Sequence, residues 1–212
     1  MSRMEKPETI RFSGEVLAVK ARIRLIRSFD QVSHQYQGYT LVLRDDEAPQ
    51  TVRRIAIGPG AHAKHQFRIG DRVSGTAHRV PDPATEWAEF YRVSRLRLAH
   101  RGPEAQQRPP DPEGGIAVPQ DVYRADGHRR LDAKTCAQQC ARCPWGLTMA
   151  TEIILDQWST SMRKWRFETH CYGPRGCPRY KAGPPRRVPG RKKPGMVWID
   201  DDVERERLRH GG

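Results

Sequence analysis

Long apolar runs and secretory features are missing from this chain. No apolar run approaches the ~18 residues that a membrane span requires, and Ile153-Ile154-Leu155 is typical of those present. The first residues, Met1 to Pro7, contain no apolar segment, so we expect no secretory signal. Hydrophobic residues make up only 36% of the chain, which is low for a soluble domain. We therefore expect a cytoplasmic protein without a membrane partner, built from small domains rather than around one large core.

Signatures of catalysis are also scarce. The sequence contains no Gly-x-Ser-x-Gly motif, no P-loop and no His-Glu-x-x-His motif. Gly58-Pro59-Gly60 lacks the Lys-Ser/Thr pair of a phosphate-binding loop and indicates a tight turn instead. No candidate nucleophile in the sequence can be assigned a general base that would activate it. The sequence therefore favours a binding protein over an enzyme.

Positive charge, in contrast, is in excess. The 212 residues include 38 Lys and Arg against 25 Asp and Glu, so the formal net charge is +13. The net charge is +7 over residues 1–101, −2 over 102–120, +10 over 121–195 and −2 over 196–212. Such a surplus attracts polyanions, and nucleic acid is the commonest polyanion in a cytoplasm. The charge predicts an RNA or single-stranded DNA partner, within a ribonucleoprotein or transcription complex.

Proline and glycine divide the chain into units. Residues 102–120 contain eight of them in a polar stretch, which disfavours regular structure and predicts a linker. The linker separates an N-terminal domain, residues 1–101, from a cysteine-containing domain, residues 121–182. Residues 183–212 are predicted to form a basic irregular extension that ends in a short acidic helix.

The N-terminal domain is predicted to be mainly β. From Leu17 to Leu25, apolar residues alternate with residues that are largely basic, which indicates a strand with two different faces. Three more strands are predicted over residues 39–44, 52–57 and 90–98, and residues 67–77 are predicted to form a turn that enters a further strand, the fourth in chain order. The stretch from Pro59 to Gln66 is the only place for a helical turn. Five strands with a short helix between the third and fourth match a small closed barrel.

The Ile-Gly-Asp-Arg-Val-Ser-Gly turn at residues 69–75, together with this element order, resembles OB-fold proteins over about residues 9–100. In that family a Gly-Asp pair opens the fourth strand, and a later glycine permits tight barrel curvature. The resemblance implies an OB-like five-stranded barrel that binds oligonucleotides or oligosaccharides over its second and third strands.

Basic and aromatic side chains are interleaved in both predicted domains. Phosphates require cations and unpaired bases require flat faces, so the mixture suits single-stranded nucleic acid. The predicted contacts in the first domain are Lys20, Arg22, Arg24, Tyr36, Tyr39, Arg95 and Arg97. The predicted contacts in the rest of the chain are Arg166, Arg175, Arg179, Lys181, Arg186, Arg187, Arg191, Lys192 and Lys193.

All five cysteines fall between residues 136 and 177, and the first 135 residues contain none. They form the patterns Cys136-x3-Cys140-x2-Cys143 and Cys171-x5-Cys177. Because stable disulfides are disfavoured in a cytosolic chain, the cluster predicts a metal site that stabilises a small domain. The predicted ligands are Cys140, Cys143, Cys171 and Cys177, with Cys136 as a fifth or substitute ligand.

The sequence leaves the identity of the metal open. If residues 150–158 form a strand, they pair with 164–168 in a β-hairpin that closes two cysteine pairs on one Zn²⁺, which resembles a zinc ribbon. Ribbons usually have x2 spacing in both pairs. The x2 and x5 spacings, with Pro144 and Pro178 after cysteines, also resemble the [4Fe-4S] sites of nucleic-acid enzymes. A metal-free redox pair, Cys140-x-x-Cys143, is a third possibility.

Two functional alternatives accompany the binding hypothesis. A [4Fe-4S] cluster would imply an iron–sulfur enzyme in nucleic-acid processing or electron transfer. A basic surface that meets acidic protein would instead imply a protein-interaction module of a ribosomal or transcription complex.

Overall fold

The structure is a computed structural model, which describes residues 8–28, 32–103, 116–155, 162–184, 187–189 and 197–199. Residues 187–189 and 197–199 are described by their backbone alone. The acidic helix and most of the predicted linker lie outside the described residues. So do four of the predicted nucleic-acid contacts, which are Arg186, Arg191, Lys192 and Lys193.

The described chain is mainly β, which confirms this part of the predicted fold class. Its first half contains β1 (Thr9–Arg27), β2 (Val32–Asp45), β3 (Val52–Ile57), α1 (Pro59–His65), β4 (Arg72–Arg79) and β5 (Phe90–His100). Its second half contains α2 (Gln120–Asp126), β6 (Arg129–Arg130), α3 (Ala133–Gln138), β7 (Gly146–Ile154), β8 (Arg163–Cys171), β9 (Arg187–Pro189) and β10 (Val197–Ile199). Within these residues, no helix is long and apolar enough to cross a membrane.

Each of the first five strands pairs with two others of this set. β1 pairs with β2 and β4, β2 with β3, and β4 with β5, all antiparallel. β3 and β5 pair in parallel through Ile55 and Phe90, so the pairing order β1-β2-β3-β5-β4 returns to β1. The side chains of Val16, Leu41 and Ile55 from three of these strands are fully buried. The alternating apolar residues therefore face a common core.

The Gly-Asp turn joins the start of β4 to the end of β5. Gly70 has a φ of +87°, which glycine adopts without the steric cost that a Cβ brings. The fully buried Asp71 carboxylate accepts hydrogen bonds from the backbone N–H groups of Arg68 (3.0 Å) and Gly102 (2.8 Å), and from the Arg101 guanidinium (2.9 Å). This one side chain therefore closes the turn and holds the chain that follows β5.

The second half of the chain extends the same sheet. β7 pairs in parallel with the end of β1, where Arg24 to Arg27 lie opposite Ala150 to Ile153. β8 pairs antiparallel with β7 along its whole length, and β6 pairs with β8. The resulting order is β2-β3-β5-β4-β1-β7-β8-β6, while β9 and β10 form a separate pair. The described part of the predicted linker also packs on the first half, because Ala117 is buried and its carbonyl lies 2.9 Å from the His62 Nε2.

Candidate cysteine centre and basic surfaces

The β7–β8 pair brings the two cysteine segments to one end of the sheet. Cys140 and Cys143 precede β7, and Cys171 is the last residue of β8. Gly146 lies opposite Cys171 in the pairing, and a Cβ at Gly146 would lie 2.6 Å from the Cβ of Cys140. Cys140 therefore occupies the space that the missing side chain of Gly146 leaves, next to Cys171.

The sulfur atoms are close enough to influence one another electrostatically. Burial, together with the neighbouring Cys136, Cys171 and Cys177, raises the pKa of the Cys140 thiol to about 11. Burial also raises the pKa of Cys136. The Cys171 sulfur accepts hydrogen bonds from the Gly173 N–H (3.4 Å) and from Arg129 (3.6 Å). Without a metal, Cys136 and Cys140 are therefore neutral thiols at pH 7.

All five cysteines lie within the described residues, and none forms a disulfide. Across the part of the chain that the structure describes, no group of three or more His, Cys, Asp or Glu residues is arranged to hold a metal ion. The structure thus gathers the predicted ligands Cys140, Cys171 and Cys177, together with Cys136, without placing them in ligand geometry. Cys143 adjoins Cys140, whose carbonyl accepts its backbone N–H (3.1 Å).

Lys20 holds the loop that carries Cys140 and Cys143. The sequence predicted a nucleic-acid contact for Lys20, but its side chain is only 5% exposed. Its ammonium donates to the carbonyl oxygens of Cys140 (2.7 Å), Cys143 (2.6 Å) and Gly146 (2.8 Å). Its charge also opposes the rise in the pKa of Cys136 and Cys140. Because this loop covers its strand face, Lys20 is out of reach of a polyanion.

Arg22, Arg24 and Arg27 follow Lys20 on β1 and also face other residues. Arg22 forms an ion pair with Glu86, with its Nε 2.9 Å from the carboxylate. Arg24 lies over the Trp165 ring at 5.0 Å from the ring centre. The predicted row of basic side chains on β1 is therefore partly covered by the second half of the chain.

The two predicted stacking tyrosines differ in their surroundings. Tyr39 is 3% exposed, and its hydroxyl donates to the Val118 carbonyl (2.8 Å). Burial raises the pKa of Tyr39 to about 12. Tyr36 is half-buried, and the Arg124 guanidinium lies 4.8 Å from its ring centre. Tyr39 therefore belongs to the core, where a base cannot stack on it.

Arginines on β2 and β3, the strands where the OB resemblance implies binding, are paired with carboxylates. Arg53 forms an ion pair with Asp45. Arg54 lies 3.2 Å from Glu89, and Arg44 of β2 lies 3.6 Å from Glu15. Their charges are largely neutralised within the protein.

β5 carries a different set of arginines. Arg95 and Arg97 are exposed, as is Arg92, which the sequence did not single out. Among the described residues, no ion pair involves any of these three side chains. Arg92 and Arg95 have positive φ values of 50° and 54°. The only sign of this surface in the sequence was the spacing of the arginines at 92, 95 and 97, which departs from the period of two that is typical of a strand.

The predicted contacts in the second half lie on β8 or after it. Arg166 of β8 forms an ion pair with the buried Glu168. Arg175 and Lys181 are exposed, and Arg179 is half-buried. Arg187 belongs to β9. In the order of the sheet, β4, β1 and β7 separate β8 from β5.

A row of three histidines, of which His128 and His170 are buried, was not predicted from the sequence. His34 and His128 approach to 3.1 Å between ring nitrogens, and the His128 and His170 rings lie 4.8 Å apart. His170 is completely buried, and this burial holds its pKa well below the usual value. The row became visible only once β2, β6 and β8 were placed together.

The chain has no match among protein-family models, curated proteins or solved structures. Its function is therefore inferred from the arrangement of its own residues.

Proposed function

We propose that this chain is a non-catalytic nucleic-acid-binding protein, in which an OB-like barrel carries the binding surface and a metal-bound cysteine centre stabilises the second unit. The observation that carries the proposal is the strand pairing β1-β2-β3-β5-β4-β1, with α1 between β3 and β4. This order, with the Gly70-Asp71 turn before β4, agrees with the OB resemblance of the sequence.

The charge of the molecule supports nucleic acid as the ligand of this barrel. The chain has a net charge of +13, and three arginines on β5 are exposed without a carboxylate partner among the described residues. A polyphosphate backbone neutralises such charges and releases bound counterions. The partner is RNA or single-stranded DNA, encountered alone or within a ribonucleoprotein or transcription complex.

The proposed cofactor is Zn²⁺, held by Cys140, Cys171 and Cys177 with Cys136 or Cys143 as the fourth ligand. The chemistry of the donor set suits zinc, because these are thiols near one end of a strand pair, where Cys136, Cys171 and Cys177 raise the pKa of Cys140. The N–H of Gly173 that donates to the Cys171 sulfur would stabilise a thiolate there. Zinc would supply a cross-link and folding energy to this small unit. A [4Fe-4S] cluster on the same residues is the alternative, and it would favour the iron–sulfur enzyme.

Equilibrium binding tests the nucleic-acid assignment. The purified chain is titrated against a fluorescein-labelled single-stranded 20-mer, and fluorescence anisotropy is recorded. We expect saturable binding that weakens steeply as salt rises. If the chain fails to bind RNA and DNA oligomers even at low salt, the proposal is wrong. Retention of an acidic protein after nuclease treatment would then support the protein-interaction module.

Elemental analysis of the freshly purified protein tests the cofactor. We expect one zinc per chain and no visible absorbance. Iron with absorbance near 400 nm would support the cluster instead. A metal-free chain that remains folded would contradict both metals.

A further inference from the structure

We propose that a single-stranded nucleic acid lies on the outer face of β5, where Arg92, Arg95 and Arg97 bind its phosphates and a pocket beside Arg92 receives an unstacked base. This inference rests on the proposed function. It places the binding surface on β5 and the adjacent β4, whereas the OB resemblance implies β2 and β3.

The register between β4 and β5 determines where the arginines of β5 lie. Tyr91, Ser94 and Arg97 of β5 lie opposite His78, Thr76 and Ser74 of β4. Three residues of β5 therefore advance against every two of β4, and each step contains one bulge. The extra residues include Arg92 and Arg95, the two strand arginines with positive φ.

The conformation of these two arginines is costly. A positive φ in a residue with a Cβ costs about 1–2 kcal/mol relative to the ordinary strand conformation. Glycine or asparagine would adopt it at lower cost. Bulges re-aim side chains, and strain of this kind is concentrated at binding sites. The strain therefore favours a binding role for Arg92 and Arg95.

The charges of this face are not neutralised by carboxylates of the described residues, and the Arg92 guanidinium lies over the Tyr91 ring, 5.1 Å from its centre. Arg92, Arg95 and Arg97 are exposed and form no ion pair within the described residues, whereas Arg53 and Arg54 of β3 are paired with carboxylates. The strand partners of this face, Ser74 and Thr76, contribute hydroxyl groups beside the guanidinium groups. Guanidinium and hydroxyl donors are the groups that bind phosphate oxygens.

A pocket at the junction of β3 and β5 points to an unpaired base. The two strands pair only at Ile55 and Phe90, and beyond this pair lies a cavity of about 330 Å³. Its lining includes Tyr91, Arg92 and Leu96 of β5 and Gln37 of β2. An aromatic wall, a cation and an amide are suited to stacking and hydrogen bonding with a splayed base. A base held in a duplex cannot leave its stack without cost, so the pocket favours single strands.

The phosphate contacts are tested with the triple variant Arg92→Asn, Arg95→Asn and Arg97→Gln. Asparagine tolerates positive φ, so the bulges are retained. The matched control is Lys64→Gln, Lys134→Gln and Lys164→Gln, which removes the same charge from exposed positions on α1, α3 and β8. Affinity for a labelled oligo-dT 20-mer is measured at several salt concentrations, and circular dichroism verifies the fold.

Three phosphate contacts contribute about 2 to the slope of log affinity against log salt for a single strand. We expect the triple variant to lose that amount of slope and to bind at least about ten-fold more weakly at low salt, while the control retains the wild-type slope. If the wild type binds but the triple variant has an unchanged slope, this surface is wrong and the proposed function stands. If the wild type does not bind, the proposed function itself fails.

The base pocket is tested with an abasic 20-mer and two Tyr91 variants. We expect the wild type and Tyr91→Phe to bind oligo-dT about ten-fold more tightly than the abasic strand, because stacking on an aromatic ring contributes on this scale. Tyr91→Leu should lose that preference. Equal affinity of the wild type for both strands would contradict the pocket.

Discussion

Replacing Lys20 with methionine tests whether this residue holds the cysteine loop. Methionine retains most of the length of the side chain but removes the ammonium, which donates to the carbonyls of Cys140, Cys143 and Gly146. The Cys140 carbonyl keeps one other partner, the N–H of Cys143. The substitution therefore removes three hydrogen bonds and weakens the connection between β1 and the loop before β7.

The magnitude follows from the charge and the burial. Hydrogen bonds to a charged donor contribute about 1.5–3 kcal/mol each, so three give roughly 5–9 kcal/mol. Burying the ammonium of Lys20, which is 5% exposed, costs several kcal/mol in the wild type, and the variant avoids this cost. We expect a net loss of about 3–5 kcal/mol in the free energy of unfolding, a large part of the total for a domain.

Urea unfolding monitored by tryptophan fluorescence measures this loss. The control is Lys64→Met on α1, where the lysine is exposed and a change within about 0.5 kcal/mol is expected. The reasoning is refuted if Lys20→Met is as stable as that control. Loss of oligonucleotide affinity at unchanged stability would instead return Lys20 to the binding surface that the sequence predicted.

Three further predictions concern the turn, the pH response and the cysteines. Asp71→Ala should lower the free energy of unfolding by about 3 kcal/mol, because it leaves the buried N–H of Gly102 and the half-buried N–H of Arg68 without an acceptor. The exposed Asp82→Ala should cost less than about 1 kcal/mol in the same urea assay. Burial lowers the pKa of His62 below its usual value of 6.5. The contribution of the neutral imidazole to the free energy of unfolding is therefore complete above pH 6.5 and is lost as the pH falls below that value. The urea midpoint should therefore drop from pH 7.5 to 5.5 less in His62→Gln than in the wild type, and equal drops would exclude this cause. Cys171→Ser should reduce bound zinc well below one per chain by elemental analysis, and full occupancy would remove Cys171 from the ligand set.

Features that depend on local pattern were predicted well. Alternation along the first half located five strands, because one face of each strand packs on the core and the other does not. The Gly70-Asp71 pair marked a turn whose φ requires glycine and whose carboxylate accepts nearby N–H groups. The sequence of residues 150–158 is compatible with either a helix or a strand, and the pairing of residues 150–154 with β8 determines a strand there.

Features that depend on distant contacts were not predicted. The alternation of β1 indicates two faces but not that a loop 120 residues later covers Lys20. The sequence predicts a stacking role for Tyr39, and nothing in the predicted linker indicates that the Val118 carbonyl accepts a hydrogen bond from its hydroxyl. The bulges at Arg92 and Arg95 arise from the register with β4, and the departure of the arginine spacing from period two does not by itself locate them. In each case the missing information was which residue, distant in the sequence, lies next to the side chain or strand in the folded protein.

Native mass spectrometry of the freshly purified chain, mixed with a single-stranded 20-mer, tests the central claim most directly. The mass of the intact complex reports the protein, the metal and the oligonucleotide together. The account predicts a complex of one chain, one zinc ion and one oligonucleotide at low salt, from which the oligonucleotide dissociates first as salt is raised. A chain that appears alone, folded and without metal at every salt concentration would contradict it.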